Sequence, residues 1–361
     1  MIARILTVVL LSQVVAASAG ELTSTPLSLA AAFQEPAGAE LAVGGRATGA
    51  LADAACCDPT TCWYVGADYR LMRTHFSEAV AFATLTVGAG PEGPDMRVVA
   101  TELDFDYESA FGFYVGYRLN ERADLRFSYW NLDSETGASA APDAGQWIVD
   151  PFGNIAPAGA EIDAVASVDL NVFDFEYVRR AQDDCGYASW SYSAGLRMAD
   201  VDQFYESTVS LGGGVLSNGV FAADFFGVGP YASFTGHAWA GRPWSAFAKV
   251  GGALLVGDYN VSSDLVFPGV ATGGQLADRI RTVPVLESEL GISWQPGPRF
   301  RLSAGWLFQA WMNIGVSGGT FDGENLPLFG GPPGIDTVFG GADDADIMSF
   351  DGLFIRGELG F

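Results

Sequence analysis

The chain has 361 residues, with 43 Asp or Glu against 18 Lys or Arg and a formal charge of −25. Only one of the basic residues is a lysine, Lys249, which leaves no material for a cationic nucleic-acid groove. Hydrophobic residues still make up 49 %, yet past the first twenty residues no apolar run reaches the length of a membrane helix, so the apolarity is spread over many short segments.

The N-terminus carries an address. Met1-Ile2-Ala3-Arg4 is a positive start, Ile5 to Ala17 an apolar core, and Ala17-Ser18-Ala19 a small-x-small site. Residues 1–19 read as a secretory signal peptide cleaved after Ala19. The mature chain then leaves the reducing cytosol, and Cys56, Cys57, Cys62 and Cys185 are free to pair. Residues 20–62 are rich in Ala, Gly, Pro and Thr without a clean period and read as a flexible linker, with a short helix conceivable at Leu27–Gln34.

From Trp63 the pattern changes to strict alternation, the period of a strand. Trp63 to Thr74 sets Trp63, Val65, Ala67, Tyr69 and Leu71 against Tyr64, Gly66, Asp68, Arg70 and Met72. After a loop with an apolar piece (Ala79–Val87) and a Gly/Pro turn (Gly88–Pro94), one alternation is expected to run from Leu103 to Leu119. Asn120–Ala123 is a turn, and Asp124–Leu132 returns. Val168–Val178 is the next strand, its upper half out of phase as though bulged. Ala188–Ala199, Phe225–Ala238, Trp244–Val256, Val283–Gln295, Phe300–Met312 and Ser349–Phe361 follow. The stretches 133–167, 200–224, 257–282 and 315–346 are left as loops.

In the last strand Leu353, Ile355, Leu359 and Phe361 share one face, and Phe354, Arg356 and Glu358 the other. Such strands put oil outside and ions inside when lipid surrounds the molecule. The turns near 120, 182, 241 and 297 are short, while the connections near 90, 150, 212, 270 and 330 are long. Trp63, Trp190, Trp239, Trp244, Trp294, Phe300 and Phe361 gather at the short-turn ends, where an interfacial girdle belongs. The expected fold is therefore all-β: an antiparallel up-and-down transmembrane β-barrel over residues 63–361, with about ten strands, or twelve as the alternative. Its turns face the periplasm and its long loops the exterior. The 20–62 linker then lies in the periplasm, with a plug inside the barrel as the other option.

With the strands placed, the chain resembles the Legionella-type major outer membrane protein family, in the form common in planctomycete-like bacteria. The stretches that carry the resemblance include Trp63–Tyr69, His75–Phe82, Glu102–Glu108, Asp174–Tyr177, Ala194–Arg197, Glu287–Gly291, Ser303–Trp311 and Ser349–Leu353. The resemblance implies a pore-forming barrel in the cell outer membrane and supplies no catalytic residue.

Sixteen ionisable residues take the polar phase and are expected to line the lumen: Asp68, Arg70, Asp104, Asp106, Glu108, Arg118, Arg126, Asp174, Glu176, Arg197, Lys249, Glu287, Glu289, Arg301, Arg356 and Glu358. They either tune a water-filled path or cross-pair and fill a narrow barrel. The chain's acidity would bias an open path toward cations. The four cysteines fall on the periplasmic side as candidate disulfides of undetermined pairing, with a zinc site as the weaker option. Asp343-Asp344-Ala345-Asp346 reads as a solvated acidic loop rather than a calcium site, and the glycines at 88–93 and 212–214 as loop glycines rather than a phosphate cradle. His75 and His237 lie at opposite ends of the barrel and serve no common catalytic site. No cofactor or metal is expected. The expected partners are outer-membrane lipid, the barrel-assembly machinery through the terminal strand and Phe361, and small solutes. Two functions compete: passive passage of small solutes or ions, and a non-conducting structural or adhesive barrel whose outer loops bind ligands.

Overall fold

The computed structural model describes residues 63–361 apart from 78–79, 91–92, 183–187, 242, 268–269, 298, 316–320, 323–335 and 338–345. The signal peptide, the linker with its helix, the four cysteines and residues 343–345 of the acidic run lie outside the described residues.

Among the described residues every regular element is a strand. In chain order they are β1 (Trp63–Phe76), β2 (Val80–Gly90), β3 (Gly93–Glu102), β4 (Tyr107–Asn120), β5 (Ala123–Ala140), β6 (Gln146–Val149), β7 (Ile155–Ala156) and β8 (Ala160–Gln182). Then come β9 (Ala188–Leu211), β10 (Gly214–Gly241), β11 (Trp244–Phe267), β12 (Val270–Gly297), β13 (Phe300–Gly315), β14 (Phe321–Asp322), β15 (Asp336–Thr337) and β16 (Asp346–Gly360). Ten of them close a barrel in the order β1-β16-β13-β12-β11-β10-β9-β8-β5-β4. The closure joins β1 to both β16 and β4, so that Tyr69 lies opposite Ile355 on one side and Phe111 on the other. Closure leaves no free edge for backbone groups to face lipid unpaired. In addition to the barrel wall, β3, β2, β6 and β7 form a four-stranded sheet in that order, and its Phe82, Ile148 and Ala156 belong to the same buried apolar cluster as Met348 and Phe350.

The terminal strand is oriented as its alternation demands. Leu353, Ile355 and Leu359 are 54, 56 and 51 % exposed on the outer wall, while Phe354 is 2 % exposed inside. Trp63 and Tyr117 pack at the short-turn rim with ring centres 5.0 Å apart, and Trp244, Trp294 and Phe300 form a second aromatic cluster with spacings of 6.2 Å.

On the side of β8 to β12 the wall is much taller than the expected strands, while β1, β4, β13 and β16 keep to 14, 14, 16 and 15 residues. β10 and β12 have 28 residues each. At ~3.3 Å per residue and a tilt of ~40°, such a strand rises ~70 Å, against an apolar band of ~25 Å. The stretches 133–140, 160–167, 200–211, 214–224, 257–267 and 270–282, expected as loops, are strand. The long connection expected near 212 is a tight turn: Gly212 and Gly213 have φ of 58° and 83°, the paired positive values that a two-residue hairpin requires.

The reason is legible in β9. Its outward residues are Trp190, Tyr192, Ala194, Leu196 and Met198, then Asp200, Asp202, Phe204, Glu206, Thr208 and Ser210. Its inward residues are Ser191, Ser193, Gly195 and Arg197, then Ala199, Val201, Gln203, Tyr205, Ser207 and Val209. The phase never changes, but the polarity inverts near Met198. Below that level lipid lies outside; above it water does, so the oil moves inside.

Two expectations are corrected on this ground. β8 has no bulge: its register with β5 is unbroken from Ala123↔Arg179 to Ala140↔Ile162, and the inward face turns from Val172 to Asp174 without a slip. The run Leu103–Leu119 is not one strand, because β3 ends at Glu102 and β4 starts at Tyr107. Phe105 lies above the lipid band and is 2 % exposed, its ring centre 5.6 Å from that of Phe76.

Candidate functional site: an ion-paired lumen under an apolar seal

Inside the membrane-spanning half, inward positions of neighbouring strands bring ions of opposite sign together. Arg197 on β9 donates to both oxygens of Asp174 on β8, at 2.7 and 2.9 Å. It also reaches over two strands to Glu287 on β12, at 3.0 Å. Its guanidinium lies 4.3 Å from the centre of the Tyr231 ring. Lys249 Nζ is 2.8 Å from Glu287 and 3.5 Å from Glu289, and the Tyr231 hydroxyl donates to Glu287. Arg356 on β16 donates to Glu289 at 3.0 and 3.2 Å, and Asp68 lies 4.0 Å away. Asp68 also pairs with Arg70, whose guanidinium sits 4.7 Å from the Trp130 ring centre. Arg126 forks onto Glu176 at 2.9 Å, and the Tyr114 hydroxyl donates to Glu358 at 2.8 Å. Arg301 faces Glu358 across the β13–β16 pairing.

Glycines make room for this filling. A Cβ on Gly66 would lie 2.2 Å from the Tyr114 ring, and one on Gly116 would lie 2.0 Å from the Tyr64 ring. The two tyrosines pack edge to face, 6.2 Å apart. The groups surround a cavity of roughly 160 Å³ bordered by seven basic and six acidic side chains. The lumen is nearly neutral in a chain of −25, so the surplus acid lies elsewhere. Paired ions withstand burial where single ones do not.

Twelve of the sixteen expected lumen residues border this cavity: Asp68, Arg70, Arg126, Asp174, Glu176, Arg197, Lys249, Glu287, Glu289, Arg301, Arg356 and Glu358. Four do not. Asp104 and Asp106 precede β4 and are exposed to solvent above the lipid band, Asp104 pairing with Arg73. Glu108 is half-buried at the start of β4, opposite Met72. Arg118 is half-buried toward the short-turn end of β4, 5.8 Å from the Tyr64 ring centre. The strand-long phase that assigned Asp104 and Asp106 to the lumen stops where β4 stops.

Sequence reasoning missed what sits above the ions. Met72, Leu132, Val172, Val201, Leu255, Val283, Trp311, Met348 and Phe350 are buried inside the upper barrel in one apolar cluster. Phe247 and Phe354 pack with tilted rings, centres 6.1 Å apart, where the ionic zone meets this cluster, and Gln203 donates to the Ile314 carbonyl across the barrel at 2.8 Å. The available signal was the inversion of polarity at constant phase. The two histidines lie apart: His75 Nε2 is 2.6 Å from Asp351 on the outer wall, while His237 sits inside, 5.6 Å from the Phe247 ring centre.

A closed ten-strand antiparallel barrel with oil outside, aromatic rims and ions within its lower half defines an outer-membrane β-barrel protein. Its sequence matches, over residues 57–358, the family described as Legionella pneumophila major outer membrane protein precursor. The chain belongs to that family and is an outer-membrane protein. No curated protein matches its sequence. Among solved structures it is similar to the outer membrane protease OmpT from Escherichia coli, at 10 % identity over 84 % of this chain and 98 % of that one, with a TM-score of 0.45. It is also similar to Ail, the attachment invasion locus protein of Yersinia pestis, at 8 % identity over 83 and 99 % of the two chains, with a TM-score of 0.23. A Pseudomonas aeruginosa FadL homologue gives 10 % identity, 83 and 90 % coverage and a TM-score of 0.22.

Proposed function

We propose that this protein is a non-conducting outer-membrane barrel, whose membrane half anchors a tall extracellular extension of strands β8 to β12 that serves as a structural or ligand-binding surface. The observation that carries this reading is the apolar cluster filling the upper lumen, with Trp311, Met348, Phe350 and Leu132 essentially inaccessible to solvent. Ions cross apolar constrictions only when these wet. The reading assigns no catalytic role: the two histidines face different sides of the wall. Its partners are outer-membrane lipid along the lower wall and, during insertion, the barrel-assembly machinery at the terminal strand.

A second reading, passive passage of small solutes or ions, rests on the charged cavity of the lower lumen. It requires the apolar cluster to part. Planar-bilayer recording of the refolded protein separates the two. The closed reading predicts no unitary conductance from the wild type and measurable leak from a Trp311→Gly/Phe350→Gly variant. Stable conductance steps from the wild type would overturn it.

A further inference from the structure

The turn between β6 and β7 holds a carboxylate buried without a cation. Asp150 and Asn154 are 0 and 2 % exposed. Asn154 donates its backbone N–H and its side-chain amide to the two Asp150 oxygens, each at 2.7 Å. The Asp150 N–H donates to the Asn154 carbonyl, and the Gly153 N–H to the Asp150 carbonyl, each at 3.0 Å. This knot presents Phe152 to the barrel. The Phe152 ring is 5.7 Å from that of Tyr205 on the inner face of β9 and lies against Gly219 of β10, where a Cβ would be 2.4 Å from it. Tyr205 in turn donates to the Ala81 carbonyl of β2 at 2.7 Å, and β2 pairs with β6. The hairpin is thus clipped to the inner wall of the upper barrel at two points.

We propose that the β6–β7 hairpin is a latch on the outer mouth, tightened by acid through protonation of Asp150. Asn154 faces the carboxyl from its own turn, and Tyr205 and Ser207 face it from β9. On the neighbouring strands, β2 buries Ala81, Phe82, Ala83 and Leu85, and the upper ends of β8 and β10 bury Ala160, Ile162, Ser217 and Phe221, none of them ionisable. Burial raises the carboxyl to about 6, the hydrogen bonds from Asn154 opposing but not cancelling it. The sign follows from linkage. The latched form binds the proton more tightly than the released, solvated form, so latching strengthens as pH falls through about 6 toward the ordinary carboxylate value and weakens above it.

The test is hydrogen exchange of the full chain in lipid vesicles, followed by mass spectrometry and corrected for the intrinsic rate at each pH. Peptides covering Ile148–Asn154 should gain roughly tenfold protection between pH 7 and pH 5. Peptides within β9 and β10 below Asp200 should not change. Asp150→Asn should be flat with pH, and Phe152→Ala should be less protected throughout yet keep the slope. Hairpin protection in the wild type that is constant or falls on acidification would overturn the proposal, as would an unchanged slope in Asp150→Asn. The wild-type profile decides even if a variant fails to fold.

Discussion

Glu287 joins more of the lumen than any other carboxylate described above, touching Arg197, Lys249 and Tyr231 while 3 % exposed. Removing it leaves Arg197 with Asp174 and Lys249 with Glu289 at 3.5 Å, and one positive charge of the buried network uncompensated. Breaking a buried pair in this way costs about 3–5 kcal/mol. Glu287→Ala should therefore unfold at clearly lower guanidinium concentration than the wild type, and an equal midpoint would show that water already screens these ions. On the outer wall the charges oppose one another. Asp133 lies opposite Asp169, Asp169 opposite Asp202, and Asp202 opposite Asp224. Burial, and after it the neighbouring carboxylates, raises Asp169 and Asp202 above the usual carboxylate range. Raised carboxyls stabilise the fold as pH falls through their values and cost stability above them. Asp202→Asn should raise the melting temperature at pH 7 in low salt, and the gain should shrink in high salt as screening replaces it. A lower melting temperature would contradict that arrangement. These residue-scale facts were half visible in the sequence. Alternation shows which side chains share a face, so Arg197 and Glu287 could be assigned inward. Which carboxylate meets which cation depends on register between strands, and the 90 residues separating that pair carry no trace of it.

At the scale of the element, β9 carries both environments in one strand. Leu196 is 56 % exposed on the lipid wall, whereas Val201, five residues on, is fully buried in the upper lumen. Leu196→Arg should cost about 2–4 kcal/mol if it sits near the bilayer midplane. Val201→Asp should also destabilise, through a buried unpaired charge, while Asp202→Leu beside it should be tolerated. Refolding yield on heat-modifiable gels reads all three; indifference to Val201→Asp would place water in the upper lumen. The membrane half of each strand was legible because apolar and ionic residues alternate there with full contrast. The upper half was not, because a lipid-facing template reads Asp200, Asp202 and Glu206 as loop residues. The same alternation, scored with polarity reversed, marks β9 through Leu211 and β10 from Gly214. Gly212-Gly213 was the turn signal between them.

On the scale of the whole molecule, two environments are stacked on one set of strands. The lower one is built for lipid, with ions paired inside; the upper one is built for water, with an apolar core. β8 to β12 run through both, whereas β1, β4, β13 and β16 end near Phe76, Tyr107, Gly315 and Asp346, so the longer strands wall the upper part. This explains a composition that is acidic and apolar at once: acid covers the upper outer wall, and oil covers the lower outer wall and the upper interior.

The inversion is tested most directly by a cysteine scan of β9 from Trp190 to Leu211, in a background lacking the four native cysteines. Each site carries a spin label and is read for collision with oxygen, which partitions into lipid, and with a water-soluble nickel chelate. Positions 190, 192, 194, 196 and 198 should favour oxygen, positions 200 to 210 of the same phase should favour nickel, and Val201, Tyr205 and Val209 should be reached by neither. Oxygen preference continuing past Met198 on that phase, or nickel reaching Val201 and Val209, would contradict the stacked barrel and its closed lumen.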